Sequence, residues 1–372
     1  MSDRPFIAAR LEAMFDRRVE GLFRRLGWRD AVIGYTGYGT TRHLRILARV
    51  VLTPGWRATP RPRRDEAWRE RRGWRNFWSV SCVHRLARVR VGAIEVHAVT
   101  DRSGYLDVAI ADHGLEPGWH HVLIDTEDGR ETEARVLVVP DDAPVGLISD
   151  IDDTIIASYL PRALTAAWNY LFVTESARQP VPGMARCYRE ILRRFPGAPV
   201  FYVSTGAWNT LPFLDRFTLH HGFPPGPMLL SDWGPTNTGW FRSGPAHKAR
   251  ALRSLARDFP NVTWLLVGDD GQHDPALYAQ FAADFPGRVL AIAIRELGPV
   301  EQVLAHGTPR ERADTARPVT RAATRPAAPD ERDAASVTAA PNVTEVAAVP
   351  EVRAPDGDEL WARLAPIIGP AR

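Results

Sequence analysis

The stretch VGLISDIDDT, residues 145–154, decides how this chain is read. Val145, Leu147 and Ile148 form a nearly unbroken apolar run, the pattern of a strand buried on both faces. The run passes straight into Asp150, Asp152 and Asp153, three carboxylates within four residues. Packed that closely at the end of a buried strand, like charges repel unless a cation sits among them. Strand ends in open α/β sheets are also where ligands bind. A Mg2+ held by carboxylate oxygens would relieve the repulsion and attract phosphate. The bland alternative is an acidic turn capping the next helix.

Downstream, apolar runs alternate with helical stretches. The runs are APVFYVS (198–204), PMLLSD (227–232), VTWLLVGD (262–269) and RVLAIAIRE (288–296). Helices are expected near 183–195, 209–221, 246–258 and 274–284. This alternation predicts an α/β fold, a parallel sheet with helices on both faces. Polar groups follow the strands in order. Ser204, Thr205 and Gly206 offer a hydroxyl and backbone amides to phosphate oxygens. Lys248 is the single lysine in a chain that otherwise writes its cations as Arg. A compact ammonium beside phosphate is not interchangeable with a guanidinium, so its retention points to a site. In GDDGQHD, Asp269, Asp270 and Asp274 form a second acidic cluster at another strand end.

Upstream, residues 31–140 read as short strands separated by Gly, Pro and Asp turns, which predicts an antiparallel β-sandwich. Residues 6–26 carry apolar residues at helical spacing with arginines on the other face. Such a helix lies in a membrane interface or caps its own domain. Residues 1–100 hold 21 Arg against 9 Asp plus Glu, a difference of +12, which favours an anionic partner. The segment 56–78 interleaves Arg with Trp56, Trp68, Trp74, Phe77 and Trp78. Nucleic-acid stacking, lipid contact and simple packing on the sandwich all fit it. No apolar stretch reaches 18 residues and the N-terminus has no signal-peptide core, so a cytoplasmic protein is expected. Cys82 and Cys187 have no metal-ligand spacing and read as buried thiols. Residues 306–356 lack any period and read as disordered. The final DELWARLAPIIG places Leu360, Trp361, Leu364 and Ile367 on one short sticky face. The expected partition is a helix over 1–30, a β-rich domain over 31–142, an α/β domain over 143–305 and a disordered Ala/Pro/Thr-rich tail over 306–372.

The ordered set DxDxT, strand-end Ser, Lys and GDxxxxD resembles the haloacid dehalogenase superfamily. The stretches SDIDDTI, VPGMARCYRE, FYVSTGAWN, LSDWGPTNTGWFRSGPAHK, LLVGDDGQHDPALY and AIAIRE are similar to the actin-patch-associated phosphatidate phosphatase family, which is related to lipins. GYGT (37–40), TDRSGYLDV (100–108) and GWHHV (118–122) resemble the N-terminal part of bacterial members. The resemblance implies a haloacid-dehalogenase-like Rossmannoid sheet with a small cap formed by SYLPRALTAAWNYLFV (158–173). It implies Asp150 as nucleophile and Asp152 as general acid and base, with Ser204, Thr205, Gly206 and Lys248 holding the phosphoryl group. Mg2+ would be bound by Asp150, the Asp152 carbonyl, Asp269 and Asp274, with Asp270 a further candidate and Thr154 supporting the loop. The chain has Ser204-Thr205 where the family often has Ser-Asn, and Asp270 where it often has Ser. The implied reaction is Mg2+-dependent hydrolysis of phosphatidic acid to diacylglycerol and phosphate. The implied partner is phosphatidic acid or an anionic membrane surface, at the inner face of the membrane, and no nucleic acid. Two other functions stay open: a phosphatase of soluble phosphomonoesters or phosphoproteins, and a non-catalytic phosphatidic acid binding module.

Overall fold

In the N-terminal half, alternating burial along short strands builds a core. The strands are β1 (Trp28–Gly34), β2 (Gly37–Thr40), β3 (His43–Pro54), β4 (Val80–Ser81), β5 (Leu86–Val91), β6 (Ile94–Val99), β7 (Tyr105–Ala111), β8 (Gly118–Thr126) and β9 (Thr132–Val139). The computed structural model describes residues 20–54, 80–157, 178–231, 244–271, 273–299, 301–302 and 348–369. The Arg/Trp segment 56–78, the expected cap at 158–173, residues 1–19 of the expected N-terminal helix and residues 306–347 of the expected tail lie outside them. On β7, Leu106, Val108 and Ile110 point inward and the intervening residues face out, the period of a strand with one buried face.

The antiparallel sandwich expected from the sequence differs in one respect. Among the described residues these strands form a single nine-stranded sheet in the order β1-β3-β2-β9-β8-β5-β6, with β4 and β7 also on β3. The reason is β3, long enough to bond β1 and β2 along one edge and β7 and β4 along the other. One pair, β2 with β9, is parallel.

The second half is a parallel α/β layer. Its sheet runs β14-β13-β10-β15-β16-β17, with β10 (Val145–Ser149), β13 (Val200–Ala207), β14 (Met228–Ser231), β15 (Thr263–Asp269), β16 (Val289–Arg295) and β17 (Glu351–Ala354), and every neighbouring pair is parallel. A separate small pair joins β11 (Ile156–Ala157) to β12 (Gln179–Pro180). The helices are α1 (Met184–Arg194), α2 (Leu211–His220), α3 (Gly244–Asp258), α4 (Asp274–Asp284) and α5 (Gly357–Leu364). The first four fall where the periodicity places them.

The expectation of disorder from 306 to the end is corrected over 348–369. β17 adds to the open edge of β16, and α5 buries Leu360 and Leu364 beside α1. Leu360, Trp361 and Leu364 of the sticky face thus dock on the chain's own core, while Ile367 is exposed. Gly357 is squeezed against this surface, where a Cβ would lie 2.2 Å from the Met184 nitrogen. Both cysteines are free and buried. Among the described residues no helix is long and apolar enough to cross a membrane.

The two halves share a core. Tyr35 stacks on Trp208 with ring centroids 4.2 Å apart, and the fully buried Tyr38 meets Phe201 edge-on at 5.3 Å. The β-rich half therefore braces β13, the strand that carries Ser204.

Candidate active site

β10 is flanked by β13 and β15, so the chain leaving its C-terminal end emerges between two other strand ends. Asp150 is tied there by its amide, which donates to the Val267 carbonyl at 2.9 Å. The chain then reverses sharply. The amides of Thr154, Ile155 and Ile156 all point to the Ile151 carbonyl, and Asp153 adopts a left-handed φ of 58°, a conformation costly for a residue with a Cβ and held only by its surroundings. The Thr154 hydroxyl reaches Asp150 Oδ2 at 3.4 Å.

Lys248, in the first turns of α3, is buried and projects into the acidic cluster. Its Nζ lies 2.8 Å from Asp150 Oδ1 and 2.7 Å from Asp274 Oδ1. Asp274 begins α4, and it approaches β15 closely because position 268 is glycine. A Cβ there would lie 2.6 Å from Asp274 Oδ2. Asp269 accepts from the Gly271 amide at 2.7 Å through Oδ1, whereas its Oδ2 is buried with no hydrogen-bond partner. Asp150, Asp269 and Asp274 each offer an oxygen, all within 4.8 Å of one another.

One ammonium serves three buried carboxylates here. Burial pushes the Asp150 carboxyl up to about 7, against the pull of Lys248 and with the help of Asp274 and Asp152. Burial likewise drives Asp269 well above the usual carboxylate range, reinforced by Asp274 and Asp150. For Lys248 burial works against the charge, but Asp150, Asp274 and Asp269 outweigh it and hold the ammonium protonated. Three buried carboxylates facing one ammonium among the described residues, with an orphaned Asp269 Oδ2, fit a hard divalent cation.

Ser204 donates to Asp152 Oδ2 at 2.9 Å and accepts from the Gly206 amide at 2.8 Å. The Asp152 carboxylate is thus turned toward Ser204 and not into the three-oxygen cluster. Thr205 and Gly206 present their carbonyls to the Ser231 hydroxyl, at 2.5 and 3.3 Å. Asp270 is drawn away, its Oδ1 accepting from the Leu297 amide at 2.9 Å. Its part is to fix the loop after β16. The structure thus brings Asp150, Lys248, Asp269 and Asp274 into direct contact, sets Asp152 and Ser204 beside them and leaves Asp270 outside.

Several residues here were not singled out from the sequence. Ser231 ends the MLLS strand and pins the 204–206 loop, a strand-end hydroxyl of the same kind as Ser204. Tyr278 donates to the Val267 carbonyl at 2.9 Å, and Tyr188 shares a 2.6 Å hydrogen bond with Ser149. Arg295 lies within the family-like stretch AIAIRE but is not marked out there from the chain's many other arginines.

Residues 145–296 match the family described as "Phosphatidate phosphatase APP1, catalytic domain". The phosphatidate phosphatase APP1 of Saccharomyces cerevisiae is 31% identical over 152 residues, covering 41% of this chain and 26% of that protein. An uncharacterized protein of Schizosaccharomyces pombe is 26% identical over 179 residues, covering 47% of this chain and 29% of that one. The chain therefore spans less than a third of the length of either curated relative. Among solved structures, a carbohydrate acetylesterase from Xanthomonas citri is 11% identical, covering 74% of this chain and 73% of that chain, with a TM-score of 0.26 that carries no argument. The motif residues at the ends of β10, β13 and β15 all fall within residues 145–296, the part of the chain that is similar to the phosphatidate phosphatase APP1 catalytic domain.

Proposed function

We propose that the protein is a Mg2+-dependent phosphatidate phosphatase of the haloacid dehalogenase type, working through an aspartyl-phosphate. The observation that carries this reading is the contact of Asp150 with Lys248 inside a buried carboxylate cluster, where Lys248 is the one cation in contact among the described residues. A nucleophilic carboxylate needs positive charge around it and around the dianion it attacks. Asp150, Asp269 and Asp274 would hold the Mg2+. When bound, that ion supplies the charge that keeps Asp150 ionised and screens the approaching phosphoryl oxygens.

Asp150 attacks phosphorus as the bond to the leaving oxygen breaks. Asp152, poised by Ser204, gives its proton to that oxygen, so the alcohol leaves neutral. Water then attacks the phosphoryl group on Asp150 while Asp152 takes its proton, releasing phosphate and restoring both carboxyl groups. Lys248 neutralises the cluster throughout. Ser204 and the 204–206 loop orient the phosphoryl oxygens.

The substrate follows from the relative's name and from charge. The Arg-rich N-terminal part favours an anionic membrane surface, at about 1 kcal/mol per well-placed Arg. Leu22, in the helical turn at residues 20–25, and Leu26, just after it, are exposed and suit such a surface.

The test is phosphate release from phosphatidic acid in mixed micelles with Mg2+, beside a soluble aryl phosphate and the Asp150→Asn variant. Lipid turnover that disappears with EDTA and with Asp150→Asn is expected. Turnover of the soluble ester alone would discard the lipid, and turnover that survives Asp150→Asn would discard the mechanism.

A further inference from the structure

We infer that Arg295 is a positioning residue for the catalytic loop, and that the C-terminal segment 348–369 is a working part of the site through it. The inference rests on the phosphatase reading above for its consequences in turnover, but its geometry stands independently.

Arg295 is the last residue of β16 and is almost fully buried. Its guanidinium divides among three partners. Nη1 donates to the Asp153 carbonyl at 2.8 Å. Nη2 donates to both oxygens of Glu301, at 2.8 and 2.9 Å. Nε donates to the Pro355 carbonyl at 3.2 Å. One planar fork thus ties the catalytic loop to the loop after β16 and to the segment that follows β17. Such simultaneous contacts in fixed directions are open to Arg and not to Lys.

The bond to Asp153 lands where the loop is most strained. Asp153 has a φ of 58°, and its amide closes the turn by donating to the Ile156 carbonyl at 2.8 Å. Its neighbour Asp152 must keep its carboxylate on Ser204. If the Asp153 carbonyl loses its anchor, the peptide on either side is free to rotate, and Asp152 is displaced first. Asp150 is held separately by Val267 and Lys248. The expected defect is therefore in proton delivery to the leaving group more than in nucleophilic attack.

The outer partners come from beyond the family match, which ends at residue 296. Glu301 also accepts from the Gly298 amide at 2.7 Å, fixing the turn that carries it. Pro355 is set by β17, whose Ala354 carbonyl accepts from the Glu296 amide at 2.8 Å, and by Gly357, which donates to the Pro182 carbonyl at 2.9 Å. The segment 348–369 closes the wall behind Arg295.

The experiment compares wild type with Arg295→Lys and Glu301→Gln in the full chain. The first readout is amide exchange at 153–156 against the amides of β10. Exchange at 153–156 should rise about tenfold or more with β10 unchanged. The second is kcat/KM on two esters, an alkyl phosphate such as phosphatidic acid and an aryl phosphate with a good leaving group. A displaced general acid should cost the alkyl ester about 100-fold and the aryl ester about tenfold less than that, because the aryl oxide leaves without a proton. Glu301→Gln should show the same split more weakly, and it carries the test if Arg295→Lys does not fold. Unchanged exchange at 153–156 would overturn the anchor. Loosened exchange with equal losses on both esters would overturn the positioning role. A wild type that turns over neither ester would sink the phosphatase reading, while exchange would still judge the anchor.

Discussion

Two buried aspartates in this molecule are treated in opposite ways. Asp30, in the β-rich half, has a side chain with no solvent exposure and two guanidinium partners, Arg24 Nη2 and Arg85 Nε, each at 2.6 Å. The Thr126 hydroxyl adds a third donor at 3.0 Å. Burial alone would raise its pKa, but the hydrogen bonds and charges of the two arginines win and hold it below the usual range. At the strand ends, Asp150, Asp269 and Asp274 are as deeply buried and share one Lys248. Their imbalance raises Asp150 and Asp269 instead. The first arrangement is complete and holds the fold. In the second, a single ammonium among the described residues faces three carboxylates.

The largest effect should come from emptying the second site of its nucleophile. Asp150→Asn keeps the shape and removes the attacking oxygen, so phosphate release should fall about 10⁴-fold or more with folding intact. The counterpart is Asp30→Asn, which leaves two arginines around an uncharged amide. It should cost about 3 kcal/mol in denaturant unfolding and leave kcat unchanged. If Asp30→Asn lost turnover at unchanged stability, the division between a structural and a chemical carboxylate would be wrong.

The chemical half of this contrast is legible in the sequence because its signals are local. Asp150 and Asp152 lie together after an apolar strand, Lys248 stands out as the only lysine, and Asp269 and Asp274 follow another strand. The four central helices follow from apolar spacing. What the sequence hides is pairing at a distance. Nothing near Asp30 announces Arg85, and nothing near Arg295 announces Asp153. β17 is four residues long, too short for any period, and it follows a composition typical of unfolded chain. It becomes a strand because β16 offers an open edge and α1 an apolar face. The single nine-stranded sheet of the N-terminal half was hidden for a similar reason. Which strands β3 bonds on its two edges depends on partners far along the chain.

Cation binding sharpens the comparison at the next scale of effect. An ion that binds only the folded site at 100 times its dissociation constant adds about 2.7 kcal/mol to stability. Mg2+ should therefore raise the thermal midpoint of wild type. Asp269→Asn, which replaces the orphaned oxygen, should abolish the shift. Asp30→Asn, although less stable, should keep it. An equal Mg2+ response in wild type and Asp269→Asn would place the ion elsewhere.

The smallest effect is the pH dependence of stability without metal, and the two sites have opposite signs. Asp150 is near 7 when folded and about 4 when unfolded. Between those values the native state keeps a proton that the unfolded chain has released. Stability then falls as pH rises through the window and levels off above it. For Asp30 the folded value is depressed, so its contribution is present above the ordinary carboxylate range and is lost as the solution is acidified. In EDTA, Asp150→Asn should therefore be more stable than wild type at pH 8, with the advantage shrinking toward pH 5. Asp30→Asn should be less stable than wild type at neutral pH, with the deficit shrinking only at much lower pH. Saturating Mg2+ should flatten the wild-type slope above pH 5, because the ion supplies the charge that the proton otherwise provides. If Asp150→Asn were destabilised most at pH 8, Lys248 would already balance the cluster, and the need for a second cation would fall with it.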